Sequence, residues 1–356
     1  MKGNCQYSSI FINIYGENYL KSHHCHNLKL LLQWFMVQTE TYFQSHDGTK
    51  LYLYRWSPQQ EPPRAVLNIV HGMAEHALRY KRLAEKLTQT GIEVWAADQR
   101  GHGRTADLQL NDPSKGGLLG HCGDNDAIVR ITADVHSINT EIKKVRANIP
   151  LFLLGHSWGS FITQNYIEYS DDLIISGCIL SGTKGPGDFM IKAGVPLMIM
   201  MAALTGQRKG SRAAKSLADG SYNKPFKPNR TVFDWLSRDE NEVDKYTADP
   251  LCGFLCSSGF YRDLVKLLYN IHRSDALARI DRSLPVYVFS GSEDPVGDMG
   301  KTPTALVNAY RNLGIDDCEF VLYPGARHET LNETNREEVQ DNLLAWINKH
   351  CECLSS

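Results

Sequence analysis

Pro150-Leu151-Phe152-Leu153-Leu154 runs without a break into Gly155-His156-Ser157-Trp158-Gly159, and a helical pattern begins again at Phe161. No other stretch restricts the fold as far. Five mostly apolar residues ahead of the turn read as a buried strand, and Phe161 to Tyr169 reads as the start of a helix. Gly-x-Ser-x-Gly between them describes a sharp strand-to-helix turn, on which a serine hydroxyl is held out of the backbone and into a cleft. The flanking glycines answer to sterics, since a Cβ at either place would clash in so tight a turn. The bare pattern also arises by chance in surface turns that happen to hold a serine. The strand in front of it favours a nucleophile.

The rest of the chain alternates in the same way. Thr41 to Gln44, His46-Asp47-Gly48-Thr49 and Leu51 to Trp56 predict a hairpin around an Asp-Gly turn. Gln59 to Arg64 is a polar, proline-containing loop. Ala65 to Val70 and Ile92 to Ala97 predict buried strands, with a helix from Tyr80 to Gln89 between them. Asp126 to Ala147 predicts a long amphipathic helix that puts Ile128, Ile131, Val135, Ile138, Ile142 and Val145 on one face. Ile174 to Leu180 is a further strand. The alternation stops near Gly182 and resumes with a strand at Pro285 to Phe289, a helix over 302–313, a strand at Glu319 to Tyr323 and a helix from Glu337 to Asn348. Such an order predicts an α/β fold, with a mostly parallel, doubly wound sheet and a helical cap insertion. The expected division is a core over 39–183 and 283–350, a cap over 184–282, and an N-terminal extension over 1–38.

Bulk properties exclude several classes. With 38 Lys+Arg against 40 Asp+Glu the formal net charge is −2, which gives no electrostatic case for nucleic acid as a partner. The nine cysteines are scattered and form no pair of Cys-x-x-Cys units, so free, mostly buried thiols in a reducing, cytoplasmic compartment are expected rather than a disulfide scaffold. The extension shows no signal-peptide order, and Leu28 to Val37 falls far short of the roughly 20 residues that span a bilayer. Regular organisation begins just after Met36, which makes that residue a candidate true start. The His23-His24-Cys25-His26 run has nothing near it in sequence that completes a metal site. In the cap, Val195 to Leu204 carries Met198, Met200 and Met201 and is followed by Arg208, Lys209, Arg212 and Lys215. Ordinary helix packing explains such a stretch. So does a cap whose flexible methionines line an acyl tunnel or touch a lipid surface, peripheral to the membrane and transient.

A serine hydroxyl needs a base within hydrogen-bond reach, and the base needs an acid to orient it. In a doubly wound sheet the cleft lies at the carboxyl ends of the strands, so both partners should follow later strands. Asp294, in Ser290-Gly291-Ser292-Glu293-Asp294-Pro295, follows the strand that ends at Phe289. Glu293 is its rival, and capping of the next helix is the structural alternative for Asp294. Of the thirteen histidines only His328 follows a late strand, because His350 lies in the tail and His272 in the insertion. The order Ser157, Asp294, His328 suits a triad on such a sheet. Donors for a developing oxyanion are expected from the backbone N–H of Trp158 and, in the loop His71-Gly72-Met73-Ala74-Glu75-His76, from that of Met73. His71 and His76 themselves read as loop support.

Together these stretches resemble the monoglyceride lipase and lysophospholipase branch of the α/β-hydrolases over roughly 40–350. His71-Gly72 with Glu75-His76 and Arg79-Tyr80 looks like the oxyanion loop of that branch, and Asp98-Gln99-Arg100-Gly101-His102-Gly103-Arg104 like its Asp-x-x-Gly-His-Gly-x turn. Leu153 to Gly159 looks like its elbow, and Asp294-Pro295-Val296 and Gly325 to Glu329 like its acid and base loops. Residue 158 departs from the pattern: it is tryptophan where many members have methionine, and the larger ring is expected to narrow the pocket. The resemblance implies a serine hydrolase that cleaves a carboxylic ester carrying one long acyl chain, through an acyl-enzyme and without metal or organic cofactor. A small-ester carboxylesterase, a thioesterase, a peptidase or a non-catalytic binding protein on the same scaffold are the alternatives. The peptidase is disfavoured because no acidic cluster for a substrate amine is evident.

Overall fold

The computed structural model describes residues 36–352 other than Asp171 and Asp188. The His23-His24-Cys25-His26 run, Leu28 to Phe35 and Cys353 lie outside the described residues. The chain forms β1 (Val37–Gln44), β2 (Lys50–Ser57), β3 (Ala65–Val70), α1 (Lys81–Thr88), β4 (Ile92–Ala97), α2 (Ala127–Val145), β5 (Leu151–His156), α3 (Trp158–Tyr169) and β6 (Gly177–Ser181). Five helices follow without a strand: α4 (Phe189–Thr205), α5 (Arg212–Ala218), α6 (Glu240–Ala248), α7 (Ser258–Ile271) and α8 (Ser274–Leu277). The alternation then resumes with β7 (Val286–Gly291), α9 (Lys301–Asn312), β8 (Cys318–Tyr323) and α10 (Arg336–Glu352).

All eight strands join one sheet in the order β1-β2-β4-β3-β5-β6-β7-β8. β2 runs antiparallel to both β1 and β4, and every pairing from β4 to β8 is parallel. β3 to β7 are buried at every residue, because helices cover both faces of the sheet. The two-residue period of a strand divides each of them between two cores. In β5, Leu151 and Leu153 face the core shared with α2, α3 and α7, while Phe152 and Leu154 face the core shared with α1 and α10.

Three local expectations are corrected. β1 begins at Val37, which pairs with Ser57, so two residues assigned to the 1–38 extension belong to the sheet. Val145, expected on the buried face of α2, is 47% exposed, where the helix ends. β6 starts at Gly177 rather than Ile174, where its ladder with β5 begins at Phe152.

Cys122, Cys178, Cys252, Cys256, Cys318 and Cys351 carry free thiols, and the first five are buried. Among the described residues no helix is long and apolar enough to cross a membrane. The apolar helix α4 is divided in its packing. Met198 and Ala202 are buried, whereas Leu197, Ile199, Met200 and Leu204 face solvent.

Candidate active site

Ser157 is the single residue between β5 and α3. Its backbone sits at φ 53°, ψ −123°, a region that costs a residue with a Cβ free energy and persists only where the surroundings enforce it. Those surroundings are close. A Cβ on Gly155 would lie 2.4 Å from Thr163 Oγ1, and one on Gly159 would lie 2.1 Å from the Val70 carbonyl oxygen. β5 and α3 therefore approach at a distance that only glycine allows. The Ser157 N–H donates to the Ser181 carbonyl at 2.9 Å, and its own carbonyl accepts the Ser160 N–H at 2.8 Å.

Asp294 and His328 come from the loops after β7 and β8, which are neighbours in the sheet. His328 Nδ1 lies 2.9 Å from Asp294 Oδ2 and 3.0 Å from Oδ1. The carboxylate also accepts from the Val296 N–H at 2.9 Å and from Ser290 Oγ at 3.2 Å. Glu293 is exposed, and the N-cap of α9 is Gly300, so neither the rival carboxylate nor the capping alternative describes this loop. With Nδ1 committed to the acid, Nε2 is the nitrogen left for a hydroxyl, and His328 lines the same cavity as Ser157. Burial pulls the His328 ring towards neutrality, but the adjacent Asp294 charge outweighs it and holds the ring above its ordinary value. Burial acts against the charged Asp294 carboxyl too, yet the His328 partnership keeps it below the ordinary carboxylate value.

The third side of the cavity is the loop after β3. Gly72 and Met73 line it, and the Trp158 N–H, as the first of α3, belongs to the donors that a helix N-terminus leaves without an internal acceptor. His71 supports the loop as expected: Nδ1 meets the Gly72 carbonyl at 2.8 Å, and Nε2 accepts the Gln99 N–H at 2.9 Å. Burial lowers the affinity of that ring for a second proton. The Asp98 turn holds the loop from behind, its carboxylate accepting from the N–H groups of Ala77 and Arg104, each at 2.8 Å.

Trp158 corrects an expectation. Its indole is 2% exposed and does not line the cavity. The ring stacks on His102 at 5.0 Å and packs against Phe260 at 5.1 Å, so it fills the core behind the elbow instead of entering the pocket.

Sequence reasoning missed what two sets of residues do. Arg79 contacts Glu75 and forms a two-pronged bond to Glu329 at 2.7 Å per prong, which ties the loop after β3 to the loop after β8. Glu75 also accepts from the Gly72 N–H and from Tyr80 Oη, the latter at 2.9 Å. The helical segment between β6 and β7 supplies the second set. Lys215, Asp219, Phe233, Trp235, Tyr246, Phe254 and Tyr261 wall the cavity, with the Trp235 ring 5.1 Å from that of His328. Tyr246 Oη and the Gly253 N–H both donate to the Ala74 carbonyl at 2.9 Å. The only sequence signal for Arg79 and Glu75 is their place in the oxyanion-loop pattern, and the cap residues carry none. Among the described residues, two groups of side chains have the chemistry to hold a metal ion, His76 with Asp249 and Cys252, and Asp317 with Glu319 and His350.

A strained serine on a strand-to-helix elbow and an acid–base pair after the last two strands define the class of α/β-hydrolases. Residues 61–335 match the family described as Serine aminopeptidase, S33. The monoacylglycerol lipase of Mycolicibacterium smegmatis is 28% identical over 324 residues, which cover 88% of this chain and 98% of that one. The monoglyceride lipase of Homo sapiens is 28% identical over 311 residues, 85% of this chain and 86% of its own. The fold superposes with a TM-score of 0.79 on a thermostable carboxyl esterase of Bacillus coagulans in complex with glycerol, at 27% identity and covering 89% of this chain and 100% of that one. The chain belongs to the S33 family, within the monoglyceride lipase and lysophospholipase branch of the α/β-hydrolases, and is a carboxylic ester hydrolase.

Proposed function

We propose that this hydrolase cleaves the ester of a single-chain lipid, a monoacylglycerol or a lysophospholipid, through a covalent acyl-enzyme on Ser157. The observation that carries the reading is the His328–Asp294 bond beside a strained Ser157, in a cavity walled by aromatic side chains of the cap. In the first step His328 Nε2 takes the Ser157 proton as Oγ attacks the ester carbonyl, and Asp294 steadies the imidazolium. The Met73 and Trp158 N–H groups receive the oxyanion. His328 then protonates the leaving alcohol. Water, activated by the same ring, releases the fatty acid and restores Ser157. No step calls for a cofactor.

The cap bears on the substrate. We take residues 184–282 as a lid over a core of 39–183 and 283–350. The cavity encloses about 480 Å³ with its open mouth counted, and side chains of the segment 184–282 wall it. We take the entry of a long acyl chain to need the lid to move. The exposed apolar side of α4 suits transient contact with a membrane or micelle, at the periphery of the bilayer.

The family description raises a peptidase as the second reading. Three carboxylates line the cavity, Glu75, Asp219 and Glu329. Each already has a cation: Arg79 holds Glu75 and Glu329, and Lys215 holds Asp219. A substrate amine would have to compete with these pairs, which favours the ester. The test is a panel of purified glycerol and glycerophospho-esters of increasing acyl length, with an aminoacyl amide alongside. A rise of kcat/KM with chain length is expected. Preference for short soluble esters would remove the lipid assignment, and turnover of the amide alone would replace it with the peptidase.

A further inference from the structure

The loop that carries the Met73 N–H meets the cap at three side chains that ester hydrolysis does not use. His76 belongs to the loop after β3, and Asp249 and Cys252 to the segment between α6 and α7. One ring nitrogen, one carboxylate oxygen and the thiol sulfur lie within 4.8 Å of one another. His76 Nε2 and Asp249 Oδ2 are 2.9 Å apart. His76 and Cys252 are buried, whereas the Asp249 side chain keeps 33% of its surface open, which gives the cluster an entrance from solvent.

The surroundings favour a cation. Three carboxylates, Glu75, Asp249 and Glu329, stand around Cys252 against the single guanidinium of Arg79. The Arg79 donors are turned to Glu75 and Glu329, and its plane lies over the Tyr246 ring at 4.8 Å. The junction is thus rich in negative charge. The donor set is selective as well. Sulfur with imidazole and one carboxylate suits Zn²⁺, whereas Ca²⁺ and Mg²⁺ take oxygen ligands.

We propose that His76, Asp249 and Cys252 form a binding site for a divalent cation of the Zn²⁺ type, with water as the fourth ligand, and that an ion there tethers the cap to the oxyanion loop. Binding starts from a thiol, a neutral imidazole and a carboxylate. The thiol proton leaves to solvent, the imidazole proton that Nε2 donates to Asp249 passes to Nδ1, and Zn–S, Zn–N and Zn–O bonds form in place of that hydrogen bond. An occupied site joins the two sides of the closed cavity, so it slows the entry of any substrate that needs the cap to move.

Co²⁺ is the spectroscopic probe, added to metal-stripped full-length protein. One equivalent is expected to bind with a thiolate-to-cobalt charge-transfer band that Zn²⁺ abolishes. The band is lost in Cys252→Ser and kept in Cys25→Ser, which alters the separate His23-His24-Cys25-His26 run. Because Cys252 is buried and its replacement can disturb folding, X-ray absorption of the Zn²⁺-loaded wild type gives an independent reading. It should find one sulfur at about 2.3 Å, with nitrogen and oxygen filling the other positions. One equivalent of Zn²⁺ should also raise Tm and slow long-chain ester turnover several-fold, reversibly with chelator. The binding measurements stand whatever ester the enzyme prefers. Absence of stoichiometric Co²⁺ binding, a band that survives in Cys252→Ser, or a zinc shell with no sulfur or two sulfurs overturns the site. Stoichiometric binding without any slowing of long-chain turnover overturns the tether.

Discussion

Ser157 bears its strained backbone angles whatever its side chain does, because β5, the Ser181 carbonyl and the close approach of α3 impose them. Ser157→Ala should therefore abolish ester turnover and fluorophosphonate labelling while leaving Tm within a degree or two of the wild type. An alanine variant that retains full activity would place the nucleophile elsewhere. In the proposed mechanism His328 sets the pH dependence. It acts as a base only when neutral, and Asp294 raises its pKa, so kcat/KM should fall as pH drops through a value above 6.5. Asp294→Asn should shift that acid limb downward and lower kcat by up to ~10⁴. A limb that stays in place in the asparagine variant would assign it to another group. The same pair contributes to stability with opposite signs. The His328 contribution is complete below its ordinary value and is lost as pH rises through the raised one. That of Asp294 is complete above the ordinary carboxylate value and is lost as pH falls through the depressed one.

At the scale of elements, α4 separates packing from contact. Met198 and Ala202 are buried, Met198 in the main hydrophobic core, while Met200 is 52% and Leu204 78% exposed. Exposed apolar side chains add little to the stability of a fold, so replacing both by Gln should change Tm slightly and leave the turnover of a soluble short ester intact. Activity against the same lipid ester in vesicles should fall several-fold, with reduced co-sedimentation. Equal rates on vesicles and on soluble ester would show that this face has no part in lipid contact. The hairpin β1–β2 has a different duty. It extends the sheet at the edge opposite β7 and β8, far in strand order from the acid and the base.

For the whole molecule, the decisive connection is Arg79. It joins the loop after β3 to the loop after β8, across 250 residues of chain, and its side chain is 12% exposed. Removing it strands two carboxylates in a nearly dry setting. Arg79→Ala is expected to cost about 3–5 kcal/mol in urea unfolding. A loss below about 1 kcal/mol, the scale of a surface pair, would make the bridge incidental. Burial resists the charge on Glu75, but Arg79 prevails and draws its pKa from 4.5 to about 2. The stability this supplies is present above pH 4.5 and is lost as pH falls toward 2, so acid unfolding of the wild type should begin in that window. In Arg79→Ala it should begin at higher pH.

The sequence by itself determined the strand-to-helix elbow, the alternation behind the parallel sheet, the place of the insertion and the loops that carry Asp294 and His328. Each of these is written locally, as an apolar run, a period of two or 3.6 residues, or a residue directly after a strand. Tertiary structure alone decided which of Glu293 and Asp294 meets the histidine, because the choice depends on how β7 and β8 lie side by side. It turned Trp158 into the core instead of the pocket and divided the α4 methionines between packing and solvent. It also brought Arg79 to Glu329, and His76 to Asp249 and Cys252. Contacts between residues 170 to 250 positions apart leave no periodic trace in a chain, and they come into being only when the loops after β3 and β8 and the segment between α6 and α7 are brought together by the fold.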